Sequence, residues 1–217
     1  VLVPCSRDRI AEKVDEVMEG LAGQGHRPYY IYGNRLGRGN EGVAAGAYAA
    51  AYREILSQAE ELNVAFDSIF LPSGTGATQS GLICGHLLNG DFTKIIGISV
   101  SRDRERGTEI LREGVQSYFA LHGLALPADT DSQICLEDGY RKGGYGCFDD
   151  EILSCIRRVF QQYGIPLDPT YTGKGFLGMM QYLEEHQITG ENILFLHTGG
   201  APLFYDMLNA GLLRPSV

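Results

Sequence analysis

Ten residues, Leu71-Pro-Ser-Gly-Thr-Gly-Ala-Thr-Gln-Ser80, combine the types that can grip an anion. A short apolar run, Ile69-Phe70-Leu71, leads into them, and apolar Leu82, Ile83, Leu87 and Leu88 follow at helical spacing. A strand, then small hydroxylated residues and glycines, then a helix start has the form of a phosphate cradle. Gly74 and Gly76 let the backbone turn tightly, so that successive N–H groups can converge on one anion. Thr75 and Thr78 add hydroxyl donors. The stretch departs from the dinucleotide fingerprint, because Gln79 stands where the third glycine belongs. It departs from the P-loop too, because no Gly-Lys-Ser/Thr closes it. Taken alone it is equally a ligand-free glycine-rich turn.

The elements that must position this loop follow from the apolar pattern. Ser6 can cap a helix over residues 7–23, with Ile10, Val14, Val17, Met18 and Leu21 at helical spacing. Tyr29-Tyr-Ile-Tyr32 reads as a strand. Residues 33–42 form a loop with Gly33, Gly37, Gly39, Gly42, Arg35 and Arg38, a mobile connection or a second anion site. A helix rich in small residues, Ala44 to Ala51 among them, spans 43–62 and suits close packing. Lys94-Ile-Ile-Gly-Ile-Ser-Val100 is a nearly continuous apolar strand, as expected where both faces are buried. Residues 102–122 are helical, 132–146 irregular, 149–163 and 173–186 helical. Asn192–His197 is a strand ending in the turn Thr198-Gly-Gly200, and a last helix ends near Leu212. This alternation predicts an α/β fold with a mostly parallel sheet flanked by helices, its ligands bound beyond the carboxyl ends of the strands.

Composition narrows the function classes. Apolar residues make up 44% of the 217, enough for a sizeable core. The net charge of −9 argues against nucleic acid or an anionic membrane as the main partner. Cys5, Cys84, Cys135, Cys147 and Cys155 are odd in number and show no C-x-x-C spacing, which fits reduced thiols in the cytoplasm and no metal site. No apolar run is long enough to span a bilayer. Val1-Leu-Val-Pro4 reads as the last strand of something already under way, so the chain is expected to be a fragment or one part of a longer enzyme.

Three motifs together resemble one family: Ser73-Gly-Thr-Gly-Ala-Thr78, Asp168-Pro-Thr-Tyr-Thr-Gly-Lys174 and Leu196-His-Thr-Gly-Gly-Ala-Pro202. Gly144-Tyr-Gly146, before an acidic helix start, lies at a matching distance. The chain is similar to the D-cysteine desulfhydrase and 1-aminocyclopropane-1-carboxylate deaminase family, pyridoxal-phosphate enzymes with the tryptophan-synthase-β type of fold (fold type II). The likeness covers nearly the whole chain, but only the C-terminal portion of that family's length. It implies a large cofactor-binding domain over 1–217, with a short remnant of a smaller domain at the N-terminus.

The resemblance assigns the cofactor to Ser73, Gly74, Thr75, Gly76, Ala77, Thr78, Thr172 and Thr198. The loop would hold the phosphate, and Thr198 the pyridine nitrogen. Tyr145 and Tyr171 would face a small amino-acid substrate as catalytic residues; without the family pattern both read as core tyrosines with satisfied hydroxyls. Thr172 stands where deaminases of the family carry Glu, and Thr198 where they carry Leu, which favours β-elimination from a substrate such as D-cysteine. Opening of a cyclopropane amino acid and a non-catalytic phosphate-binding module are the alternatives. Lys174 is implied to be structural or phosphate-facing, and His197 to be a hydrogen-bonded structural residue. The family's cofactor-binding lysine and its Ser-Asn-His motif have no counterpart here, so an N-terminal segment or a second chain is expected to supply them. A homo-oligomer is expected.

Overall fold

The structure, a computed structural model, describes residues 2–31 and 39–213. Its centre is a four-stranded parallel sheet of β1 (Ser68–Ser73), β2 (Lys94–Ser99), β3 (Cys135–Glu137) and β4 (Ile193–Phe195), in the spatial order β3-β2-β1-β4. All six residues of β1 are buried, and its middle, Ile69-Phe-Leu-Pro72, is apolar on both faces, as a strand in mid-sheet requires. Alternate side chains serve opposite faces. Ile69, Leu71 and Ile95 pack against α2 (Glu41–Glu61), α3 (Ala77–Asn89) and α4 (Arg104–Leu121). Phe70, Ile96 and Ile98 pack against α6 (Thr172–Glu185). A third cluster joins α5 (Asp150–Tyr163), α6 and α7 (Ala201–Asn209) around Ile156, Leu177 and Phe204.

Small residues bring the helices close to one another and to the sheet. A Cβ on Gly81 would stand 2.4 Å from Ala45 O and from Tyr48 Cβ, and one on Gly85 2.5 Å from Tyr52 Cβ. The backbones of α2 and α3 therefore touch along Ala45/Ala49 and Gly81/Gly85. In α6 a Cβ on Gly175 would stand 2.9 Å from Pro72 Cβ, and one on Gly178 2.7 Å from Ile98 Cγ2, so this helix lies directly on β1 and β2. The Gly175 contact brings the N-terminus of α6 to the carboxyl end of β1, where α3 also begins.

The N-terminal region differs from expectation. Residues 2–4 and 29–31 form no strand, although their composition favours one. A strand holds only where a neighbour pairs with it. Tyr32, Gly33, Arg35, Gly37 and Arg38 lie outside the described residues. The helix expected over 7–23 is a short 3-10 turn, Arg7–Arg9, followed by α1 (Ile10–Gly23). No residue of α1 is buried, and its apolar residues Val14, Val17 and Met18 line a shallow groove with Val3 and Tyr30. Strand β3 falls inside the stretch expected to be irregular.

Helix α5 starts at a cap that can be tested. Asp149 Oδ1 accepts from Ile152 N at 3.0 Å, and Lys142 Nζ lies 3.3 Å from Asp149 Oδ2. Burial alone would push this carboxyl up, but the Ile152 amide and the Lys142 ammonium outweigh it, and the pKa falls below the usual carboxylate value. A depressed carboxyl stabilises the fold above its unfolded pKa, and that contribution is lost as pH falls through the folded value. Asp149→Ala is therefore expected to cost about 1 kcal/mol at neutral pH. In urea titrations the gap between variant and wild type should close at acid pH; a gap independent of pH would contradict the cap.

Candidate ligand-binding site

The anion-gripping loop lies at the junction of β1 and α3. Gly76 caps α3 with φ +94, the left-handed region that an L side chain adopts only under strain. A Cβ there would also stand 3.1 Å from Ile110 Cγ2. The first-turn amides of α3 have no partner within the helix, and the helix dipole reinforces their attraction for an anion. Arg102 approaches from behind and donates through Nη1 to Gly74 O. The Gly74 carbonyl therefore faces the guanidinium, and the N–H of the same peptide unit, on Thr75, points the other way.

A second turn closes on the same space. Strand β4 lies beside β1, and Leu196 N bonds Phe70 O at 2.8 Å. The chain then turns through Thr198, Gly199 (φ +109) and Gly200 (φ +95) into α7. His197 braces the turn: its Nε2 donates to Pro166 O at 2.9 Å, and its Nδ1 accepts from Gly199 N at 3.3 Å. Those two bonds require the neutral Nε2–H tautomer, a structural role as expected.

Between the turns lies a cleft of about 260 Å³, lined by Ser73, Gly74, Thr75, Gly76 and Thr78 on one side and by Thr198, Gly199 and Gly200 on the other. Tyr171, Tyr48 and Leu203 complete its main lining. No lining residue carries a charge. Among the described residues, the hydroxyls of Ser73, Thr75, Thr78 and Thr198 enter no intramolecular hydrogen bond.

Tyr171 caps α6 and packs on the loop, its Cε1 3.4 Å from where a Gly74 Cβ would be. Its hydroxyl meets Tyr145 Oη at 2.7 Å, so Tyr145 reaches the cleft only through Tyr171. That bond, with burial and the nearby Asp168 carboxylate, pushes the Tyr171 phenol up to about 12. Tyr171 thus keeps its proton at neutral pH.

Besides Tyr145, the side chains of Thr172 and Ala77 stand outside the cleft lining. Thr172 is fully buried; its Oγ1 donates to Asp168 Oδ1 at 2.7 Å and accepts from Asp168 N at 2.8 Å. Its hydroxyl is spent on the α6 start rather than on the cleft, which corrects its expected place beside the ligand. Ala77 opens α3 but does not line the cleft. Gln79 does line it, yet turns its amide to the sheet, donating to Cys135 O at 2.6 Å. Tyr48 and Leu203 are lining residues that no motif indicates. The small-residue run of α2 was the available signal for Tyr48, as the bulky residue where two helices come closest.

Convergent amides at a helix start, unengaged hydroxyls and a second hydroxyl-bearing turn across one neutral cleft give this parallel-sheet protein the chemistry to hold a small anionic ligand. Comparison with known proteins agrees. The profile of the family described as "Pyridoxal-phosphate dependent enzyme" matches residues 1–199. The chain belongs to that family, whose cofactor is pyridoxal phosphate. It is 31% identical over 198 residues to a D-cysteine desulfhydrase of Serratia proteamaculans, covering 89% of this chain and 57% of the relative. A D-cysteine desulfhydrase of Klebsiella pneumoniae is 34% identical, with 90% and 57% covered. A crystal structure of an ACC deaminase homologue superposes with a TM-score of 0.80 at 32% identity, covering 98% of this chain and 62% of that one. The chain thus spans little more than half the length of the curated relatives it matches. Among the described residues no helix is long and apolar enough to cross a membrane.

Proposed function

We propose that this chain is the cofactor-holding part of a pyridoxal-phosphate lyase that eliminates the β-substituent of a small amino acid such as D-cysteine. The balanced reaction converts D-cysteine and water to pyruvate, ammonia and hydrogen sulfide. One observation carries the reading: the Ser73–Thr78 loop and Thr198 line a single cleft, close enough for one small ligand to meet both. The residues fit that ligand. The amides and hydroxyls of Ser73 to Thr78 would bind its phosphate, and Thr198 Oγ1 would meet its ring nitrogen.

When bound, pyridoxal phosphate supplies an electron sink for charge developing at the α-carbon of an attached amino acid. A threonine hydroxyl, unlike a carboxylate, does not hold the ring nitrogen protonated, which suits departure of a good leaving group such as a thiol. Tyr171, held protonated beside Tyr145, can orient the substrate or deliver a proton at its Oη. The cleft lining has no lysine, and Lys174 turns its ammonium to backbone carbonyls instead. The amine that this chemistry needs would come from a further segment or a second chain. The likeness to an ACC deaminase homologue supports cyclopropane-ring opening as the second reading.

The test supplies the chain with the remainder of its enzyme, or uses the full-length protein, and records cofactor absorbance and sulfide release from D-cysteine. Bound cofactor with sulfide is the expected outcome; 2-oxobutyrate from the cyclopropane substrate without sulfide would favour the second reading, and no cofactor absorbance would end both. Thr198→Val should weaken cofactor binding by about tenfold, the scale of one lost hydrogen bond, without changing the unfolding midpoint.

A further inference from the structure

Lys174 is 1% exposed, although it lies in the first turn of α6. Its neighbours explain the burial. A Cβ on Gly173 would stand 2.7 Å from Asp168 O, and one on Gly175 2.9 Å from Pro72 Cβ. The helix enters so close to the end of β1 that the lysine stem has no route to water. Its ammonium donates to Gly144 O at 2.7 Å and, at 3.4 Å, to Val100 O just beyond β2. Among the described residues it forms no ion pair with a carboxylate. A buried charge satisfied by two carbonyls is costly to the fold, and burial accordingly lowers its pKa. A methionine of similar length would avoid that cost.

What the ammonium holds gives it a purpose. Gly144 O belongs to the peptide bond that enters Tyr145. The surrounding turn is built on glycine, with Gly143, Gly144 and Gly146 all at positive φ, at +88, +112 and +73, so its backbone has wide conformational freedom. Within the turn, Gly144 N bonds Arg141 O at 3.1 Å, and Cys147 N bonds Gly144 O at 3.2 Å. Lys174, three residues along the helix from Tyr171, ties this glycine run to the backbone just beyond β2.

We propose that Lys174 is a positioning residue: by holding the carbonyl of the Gly144–Tyr145 peptide it fixes the Tyr145 phenol against Tyr171 and so sets the substrate side of the cleft. The inference deepens the proposed function and rests on it for the word substrate; the placement of Tyr145 itself needs no cofactor. Amide hydrogen exchange on the 217-residue chain tests it. In Lys174→Met the Cys147 amide, which bonds the same Gly144 carbonyl, should exchange about tenfold faster, with β1 and α3 as protected as in wild type. In the same variant the Tyr171 phenolate band, identified by difference from Tyr171→Phe, should appear at lower pH. Lys174→Arg, which keeps charge and donors, should restore part of the protection.

A folded Lys174→Met with unchanged exchange in the turn would overturn the proposal, as would uniform loosening of the whole domain. If Lys174→Met does not fold, Lys174→Gln is read by the same criteria. Failure of the full-length enzyme to bind pyridoxal phosphate would remove the functional reading and leave these exchange results standing.

Discussion

Gly200→Ala is expected to cost about 3 kcal/mol of stability and to abolish cofactor binding. Two effects add: a left-handed backbone costs an alanine about 1 kcal/mol, and overpacking typically adds about 1–3 kcal/mol. Gly200 has φ +95, and its Cβ would stand 2.4 Å from Asp168 Oδ1 and 2.6 Å from Asp168 Cγ. The carboxylate cannot move aside, because its two oxygens already hold four donors at the start of α6. Gly123 gives the control. It has φ +64 with nothing within 4 Å of a Cβ, so Gly123→Ala carries only the conformational part, about 1 kcal/mol. Urea midpoints of the two variants measure the difference; equal losses would show that the Asp168 contact does not matter.

Asp168→Ala should cost more, about 4 kcal/mol. Asp168 Oδ2 accepts from Thr170 N and Tyr171 N, both at 2.9 Å. Oδ1 accepts from Thr172 N at 2.8 Å and Thr172 Oγ1 at 2.7 Å. Deleting the carboxylate leaves three amides and a hydroxyl without acceptors, each worth about 1–3 kcal/mol but not additive. Tyr171 would lose its place at the head of α6, and its contact with Tyr145 would go with it. Asp168→Asn keeps one acceptor and should lose about half as much. Combining Asp168→Ala with Gly200→Ala should cost less than the sum, since the first change removes what the second collides with. Strict additivity would mean that the two residues do not act on each other.

Both turns of the cleft were legible in the sequence because backbone geometry constrained residue type. Gly76 and Gly200 occupy conformations that favour glycine, and the runs around them stand out as glycine between apolar segments. The buried parallel strands were legible for a similar reason: β1 and β2 are covered on both faces, so their middles, Ile69-Phe-Leu71 and Ile95-Ile-Gly-Ile98, are apolar without alternation. What the sequence hid depends on tertiary choice. Thr172 has the chemistry of a ligand-facing hydroxyl, but the buried carboxylate four residues earlier claims it. Tyr48 reaches the cleft only because Gly81 and Gly85 let α2 settle onto α3. The 29–31 segment has strand composition and no strand beside it, whereas the three residues of β3 form a strand because β2 offers an edge. Lys174 looks like any helix-start lysine until the glycines beside it press the helix onto Pro72.

The neutrality of the cleft has a consequence for how such a protein can fail. Its grip is built from peptide groups, and no single substitution removes a peptide N–H except one to proline. Exchanging the loop hydroxyls would then weaken retention of an anion only in steps. Damaging lesions should instead collect at Gly76 and Gly200 in the lining and at Arg102 and Asp168 behind it, where a change rotates the peptide planes. Added salt, which strips ligands from surface lysines and arginines, should loosen a site of this kind less, because it screens a helix dipole there and no full positive charge.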